Sequence, residues 1–346
     1  MAADNLDHAD LSAVDFNGLI NEDVMQQIWD ISNIPLPFSD RSASDATGHE
    51  YAEWTQDKLQ AVDTDNAAVD GADITKDDTN TGKRVGNRCQ IMTKRIAVST
   101  RANEANSIGS AGSVAYQVMM RQRELRRDGE AIFLEPQASV QDDGASTAGR
   151  LGGLPSWLTT NTSRGTGGAD GGFSGGTVAA PTPGEARGLT ETLVRDIAQS
   201  VWEQGGNPGV LMSTPSVIRN LSNYMFTSSA RIATLQRNEQ GMGAATAIGA
   251  VNVFLTDFDV VLEMIPNRLQ QTYSSGDGSP VDVANVFILD MEMIRRTFLH
   301  GYRVEDQAKT GLSEKRQMAG DMTLKILNEE AQGLIADIDP TVPVAQ

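Results

Sequence analysis

The sequence predicts an α+β protein: a body of mixed helix and strand, with a long arm and a two-stranded ribbon reaching out of it. Three observations carry this. Residues 113–134 place Val114, Val118, Leu125 and Ile132 at spacings of four, seven and seven, the stripe of a long amphipathic helix. Strand-like and helix-like segments alternate between residues 189 and 303, the pattern of an α/β region. Residues 1–48 hold too little apolar material to form a core of their own.

Taken in order, residues 1–48 are an arm. Short apolar groups (Leu19-Ile20, Val24-Met25, Ile28-Trp29, Ile34 to Phe38) are separated by polar residues and prolines, and need an outside surface on which to dock. Asn21–Ile31 reads as a short helix, with Asn21 as N-cap and Glu22 and Asp23 in its first turn. Residues 50–106 read as a β-excursion, with Glu50–Ala61 and Arg88–Arg101 flanking a polar stretch from Val62 to Asn87. Met92, Lys94, Ile96 and Val98 alternate as in a strand. Such a ribbon is marginal alone and is expected to lie on a neighbour.

The helix at 113–134 has Ser113 as its cap and Pro136 as its stop, and Gly129 is a mild weakness inside it. Residues 144–188 hold 13 of the 33 glycines, and Gly165–Gly176 reads as a flexible loop. Leu189–Gln204 follows as a helix ended by Gly205-Gly206. Gly209–Ser213 is expected as a buried strand and Pro215–Tyr224 as a helix. Val251–Phe254, Val260–Ile265 and Val283–Asp290 are further strands, while Met318–Ile335 is ambiguous between strand and helix.

The net charge of −18 is unevenly placed. Residues 1–80 carry 18 acids and three bases, or −15. Residues 81–130 carry ten bases and four acids, or +6, and residues 131–346 carry −9. An acidic first quarter followed by a basic block invites pairing between segments or between copies. The overall sign argues against a sequence-reading DNA binder. A single cysteine, Cys89, excludes a disulfide framework and points to a reducing origin. No apolar run reaches the roughly 18 residues of a membrane span, and the acidic N-terminus lacks the order of a signal peptide.

The search for chemistry returns nothing. Cys89 with His8, His49 or His300 is the only Cys–His combination, but Cys89 falls on the ribbon, where a structural role is the better reading. One cysteine and three scattered histidines match no zinc spacing. Gly82-Lys83 is followed by Arg84 and lacks the upstream glycine of a P-loop. Asp257 and Asp259 suit a turn better than an acid/base pair. No catalytic residue, cofactor or metal site is assigned.

Several stretches, in order between about residues 88 and 338, resemble the major capsid proteins of tailed bacteriophages with the HK97-type fold. These are Arg95 to Arg101, Ala115 to Asp128, Gly149 to Leu154 with Asn161-Thr162, Gly205 to Tyr224, and a C-terminal set. That last set comprises Ala308 to Gly311, Met322 to Leu324 and Asn328 to Gly333. Two departures stand out: Gly129 occupies the place of a family glutamate, with Glu130 next to it, and the Gly165–Gly176 stretch is an insertion.

The resemblance implies an N-terminal arm at 1–48, an extended β-hairpin loop at 49–108, and a peripheral domain at 109–188 with 304–340 that holds a spine helix at 113–134. It further implies an α/β axial domain at 189–303 and a tail at 341–346, and it favours strand at the start of Met318–Ile335. The implied function is self-assembly, as hexamers and pentamers, into an icosahedral head shell around double-stranded DNA, without catalysis, cofactor, membrane or sequence-specific DNA contact. Portal and scaffold or decoration proteins are the implied partners, and the virion the location, after synthesis in the host cytoplasm. Inter-subunit contacts are expected from Ile28, Trp29, Phe38, Trp54, Lys94, Arg95, Arg101, Arg121, Arg126 and Arg127. A chain beginning at Met1 leads us to expect a separate scaffold, or none, and no trimming at that end. The alternatives are an encapsulin-type compartment shell, a virion protein outside the lattice and, more distantly, a Cys/His hydrolase.

Overall fold

The computed structural model describes residues 32, 35–71, 73, 81–105, 113–227, 235–236, 246–247, 252–258, 260–278, 280–309 and 311–345. The expected helix at Asn21–Ile31 lies outside them. The first elements are α1 (Pro37–Arg41), β1 (Ala43–Ala46), β2 (Tyr51–Gln56), β3 (Lys83–Arg88), β4 (Gln90–Ser99), α2 (Thr100–Glu104) and α3 (Val114–Leu134). The glycine-rich region holds α4 (Leu154–Trp157), β5 (Thr162–Ser163), β6 (Gly172–Ser174) and β7 (Thr177–Ala179). Then come α5 (Glu191–Glu203), β8 (Val210–Ser213), α6 (Pro215–Thr227), β9 (Leu235–Gln236), β10 (Thr246–Ala247), β11 (Val253–Leu255) and β12 (Val261–Pro266). Last are β13 (Tyr273–Ser274), β14 (Asp282–Leu289), β15 (Ile294–Asp306), β16 (Ser313–Ile326) and β17 (Gly333–Ile338).

Two sheets organise the body. One has four strands in the order β1-β15-β16-β4, with β1 parallel to β15 and the other pairs antiparallel. The other has seven strands, β11-β12-β8-β14-β17-β5 with β13 on β14. The long helix α3 starts where expected: the Ser113 hydroxyl accepts from Tyr116 N at 3.2 Å. It lies against β4 and β16, burying Leu125, Phe133 and Leu134 among Met92, Met318 and Met322. A second apolar cluster joins Val194, Ile197 and Val201 of α5 to Leu211, Leu262, Val286 and Ile288 of the seven-stranded sheet. β8 and β14 are buried on both faces, as their unbroken apolar runs require.

Three expectations are corrected. The ribbon pairs β2 with β3, six residues on each side, so its paired part is about 20 Å long and not the twelve-residue hairpin expected. The alternating stretch at Met92–Val98 belongs to β4 and pairs with β16, more than 200 residues onward. Its alternation identified a strand correctly, but nothing local identifies its partner. Gly165–Gly176 is not a loose loop: it ends in the β6–β7 hairpin, and Phe173 stacks on Trp157 with centroids 5.6 Å apart. Its glycines serve close backbone contact, since a Cβ on Gly165 would overlap the Glu185 carbonyl and one on Gly171 the Ala179 carbonyl.

The seven-stranded sheet draws β5 and β17 from segments that the sequence division grouped with the long helix. Two crossings link the sheets side by side. β14 runs through Asp290–Met293 into β15, and β16 returns through residues 327–332 into β17. Gln332 pins them together, accepting from Asp290 N at 3.0 Å and donating to Asp290 O at 2.9 Å. Leu327 N adds a bond to Met293 O at 2.9 Å.

Candidate inter-subunit surfaces

The residues offered as contacts fall into three groups. Ile28 and Trp29 lie outside the described residues. Phe38 and Trp54 are used by their own chain. Phe38 is fully buried, with its ring 6.1 Å from that of Phe133, so it offers no surface to a neighbour. Trp54 is half-buried on Trp157, with centroids 5.2 Å apart, and its indole N–H donates to Ile326 O at 2.9 Å. The apolar end of the arm thus docks on the body.

The basic candidates divide by partner. Lys94 pairs with Asp128 of α3 at 2.6 Å, and Arg121 pairs with Glu124. Arg126 is exposed, 3.9 Å from Asp40. Arg127 is half-buried, and its Nε finds no acceptor among the described residues. Arg95 and Arg101 are exposed, with no carboxylate partner among the described residues. Surface pairs of this kind contribute little each, about 0–1 kcal/mol. Among the described residues these candidates therefore form three pairs within the chain, and Arg95, Arg101 and Arg127 have no carboxylate partner.

The strongest polar junction is one the sequence reading passed over. Glu130 of α3 is fully buried, and its carboxylate accepts from Phe38 N, Ser39 N and Asn267 Nδ2, each at 2.8 Å. It caps the start of α1 and reaches the residue after β12, so one side chain joins the arm, the long helix and the seven-stranded sheet. A carboxylate on the apolar side of a helix, beside Phe133 and Leu134, is stable only if its acceptors are filled. That mismatch of charge and position was visible in the sequence. Asn87 does similar work on the ribbon: fully buried, it donates to Gly152 O and Leu324 O and accepts from Gly152 N at 2.8 Å.

Cys89 sits between β3 and β4, buried, and burial followed by the nearby Asp321 and Glu50 carboxylates pushes its thiol up to about 12. A thiol held in that way does not supply a thiolate at neutral pH. Among the described residues no group of three His, Cys, Asp or Glu is placed to hold a metal, and no helix is long and apolar enough to cross a membrane.

A family model described as SU10 major capsid protein matches residues 9–339. The chain belongs to the SU10 major capsid protein family. The match runs from the arm through the ribbon and both sheets, so family membership extends over nearly the whole chain. The major capsid protein of Escherichia phage Phieco32 is 26% identical over 181 residues, 50% of this chain and 51% of that protein. The chain thus spans about half the length of the curated relative it matches.

Solved structures agree on the fold. The capsid of a native GTA particle is similar with a TM-score of 0.60 at 9% identity, over 94% of this chain and 98% of that one. A chain of Mycobacterium phage Adephagia gives 0.56 at 12% identity, over 98% and 100%. The SrpI encapsulin complex of Synechococcus elongatus PCC 7942 gives 0.54 at 10% identity, over 95% and 96%. The HK97-type capsid fold expected from the sequence is therefore the fold of this family member, with α3 as its long helix. At these identities the likeness speaks for fold alone, and the encapsulin shares it.

Proposed function

We propose that the chain is the building block of an icosahedral shell, the head of a tailed bacteriophage, formed from hexamers and pentamers of itself around double-stranded DNA. The observation that carries this reading is the family match across residues 9–339. The surface supports it: residues 57–71 are exposed throughout, and Leu59, Val62 and Val69 stand 94%, 91% and 79% open to solvent. An apolar, acidic loop with so little contact to its own chain is suited to a neighbour.

In this reading residues 1–48 are the clasping arm and 49–108 the extended loop. Residues 109–188 with 304–340 form the peripheral domain around α3 and 189–303 the axial domain at capsomer centres, except that β15 belongs with the sheet against α3 and β5 and β17 with the seven-stranded sheet. Ile28, Trp29, Arg95, Arg101 and Arg126 are the contact residues carried forward. The protein works by assembly, without catalysis. It is made in the host cytoplasm and ends in the virion, with portal and scaffold or decoration proteins as partners. The acidic subunit keeps packaged DNA from adhering to the wall.

Electron microscopy of the full chain, expressed alone and with a co-expressed scaffold, tests the proposal. Closed shells of uniform diameter are expected. Only small monodisperse species under both conditions would overturn it. A cargo protein recovered from such shells would instead favour the encapsulin reading, which the fold likeness also permits.

A further inference from the structure

The long hairpin β15–β16 leaves part of one edge bare. β1 pairs with β15 only at residues 295–298, and Thr47 N closes that pairing on Phe298 O at 3.0 Å. Over residues 300–306 the outer side of β15 has no strand beside it among the described residues, while β16 covers the inner side. Two register shifts interrupt the ladder between Phe298 and Arg303 and none follows, so residues 303–306 are regular strand. The phase of the ladder settles which backbone groups face out. Gln307 N donates to Lys315 O at 3.0 Å, and the register continues as Asp306↔Arg316, Glu305↔Gln317 and Val304↔Met318. Hydrogen-bonded and non-bonded positions alternate along an antiparallel pair, so Arg303 and Glu305 turn their N–H and C=O toward β16. Val304 and Asp306 turn theirs to solvent. An edge of this kind is a template for another strand.

We infer that this edge pairs antiparallel with the same edge of a second copy, about a two-fold axis at Val304. The inference rests on the assembly reading above and names one of its contacts. Charge selects the occupant, because the edge complements itself. A two-fold at Val304 sets Arg303 of each copy opposite Glu305 of the other. These are non-hydrogen-bonded positions, the closer kind, with Cα atoms about 4.5 Å apart. Opposite charges so placed attract, and like charges repel. Within one chain Arg303 already reaches Glu305 at 3.1 Å, and both are exposed. Two copies join these pairs into a ring of four alternating charges. On the other face Val304, 43% exposed, meets its own counterpart. Its N–H and C=O point outward, so the central pair exchanges two hydrogen bonds. Asp306 comes opposite Tyr302 and keeps its own Arg316 at 2.9 Å.

Symmetry decides which copies these are. Neighbours around a five-fold or six-fold axis meet head to tail, through two different surfaces. A patch that pairs with itself needs a two-fold, so this contact joins subunits of different capsomers. Size decides when it forms. Residues 302–306 of two copies fall well short of the roughly 800 Å² per partner of a stable interface, so free subunits stay unpaired. In a shell the contact repeats between subunits already held in place, and its effect is multiplied. The register shifts before Arg303 keep the pairing from spreading along the strand.

The test uses two full-length variants, Arg303→Glu and Glu305→Arg, assembled alone and as an equimolar mixture. Each alone puts two like-charge pairs across the two-fold, and should need a roughly tenfold higher concentration to assemble. The mixture restores opposite charges between chains while each chain keeps like charges within itself, and should assemble as the wild type does. A role confined to the Arg303–Glu305 pair of one chain predicts no rescue on mixing. Melting of the unassembled variants separates lost assembly from lost fold. A second measurement is independent of charge. Arg303→Cys and Glu305→Cys chains, mixed, assembled and oxidised, should give the mixed disulfide dimer; Cys89 is buried and does not compete. Arg303→Cys chains alone should not link, because their two positions lie about 8 Å apart, beyond the reach of a disulfide. Single variants that assemble like the wild type, or a mixture no better than its parts, would overturn the inference while leaving the shell reading intact. Particles in which Arg303→Cys links only to itself would mark a different alignment and overturn it too. Failure of the wild-type chain to form particles, alone or with a scaffold, would overturn both.

Discussion

Replacing Glu130 tests whether the buried junction holds the arm to the body. In Glu130→Ala, Phe38 N, Ser39 N and Asn267 Nδ2 all lose their acceptor in a site closed to solvent. Each orphaned donor costs about 1–3 kcal/mol, and removing a buried charge recovers part of that, so a net loss of about 3–5 kcal/mol is expected. Glu130→Gln keeps the shape and one acceptor oxygen but turns an amide N–H toward a donor, for a loss of about 1–3 kcal/mol. Urea unfolding of the unassembled subunit reads the total. Limited proteolysis reads the location, because residues 35–48 should be cleaved first once α1 is released. If both variants unfold within 0.5 kcal/mol of the wild type, a spread ordinary for surface substitutions, the junction does not hold the arm.

The other predictions concern truncation, packing and reactivity. Removing residues 1–34 should leave a folded body that assembles poorly. Removing 1–47 should also destabilise the body, because Leu36 and Phe38 are buried in it, and melting temperatures of the two truncations compare them. Gly165→Ala should cost about 2 kcal/mol or more, because its Cβ meets the Glu185 carbonyl; an unchanged melt would mean that the loop yields freely. Trp157→Ala should cost about 3–5 kcal/mol, since it removes the ring between Trp54 and Phe173. Cys89 should resist alkylation at pH 8 in the folded subunit and react at the rate of a free thiol in urea. With burial pushing its thiol up to about 12, protection should persist at every pH below that value at which the fold itself still holds.

The long helix, the buried strands at Val210–Ser213 and Asp282–Leu289, and the α5 helix were legible because each announces itself within its own few residues. Ser113 caps, Val118 and Leu125 repeat, and Val283 to Leu289 run apolar without a break. The misreadings share one cause, which is that the deciding partner lies far along the chain. Met92 and Ile96 alternate as strand residues wherever their partner lies, and β16 lies more than 200 positions away. A glycine run looks the same whether it frees the backbone or lets two backbones touch, and the Glu185 carbonyl that distinguishes them lies 20 positions from Gly165. Among the contact candidates, Phe38 misled because an apolar residue in a thin arm looks unpartnered until the body that receives it is known. Glu130 could have been found by asking what satisfies a carboxylate on an apolar helix face.

The paired crossings between the two sheets have a mechanical consequence. Two strands pass side by side from one sheet to the other, and Gln332 ties them at Asp290. Two parallel connections resist torsion and shear where one would twist, and bending about the line that joins them works against the apolar cluster that both sheets share. In the proposed shell, where one subunit meets five-fold and six-fold surroundings, that line is where its shape would adjust. Such an adjustment would strain the Glu130–Asn267 bond, which ties α3 to the seven-stranded sheet.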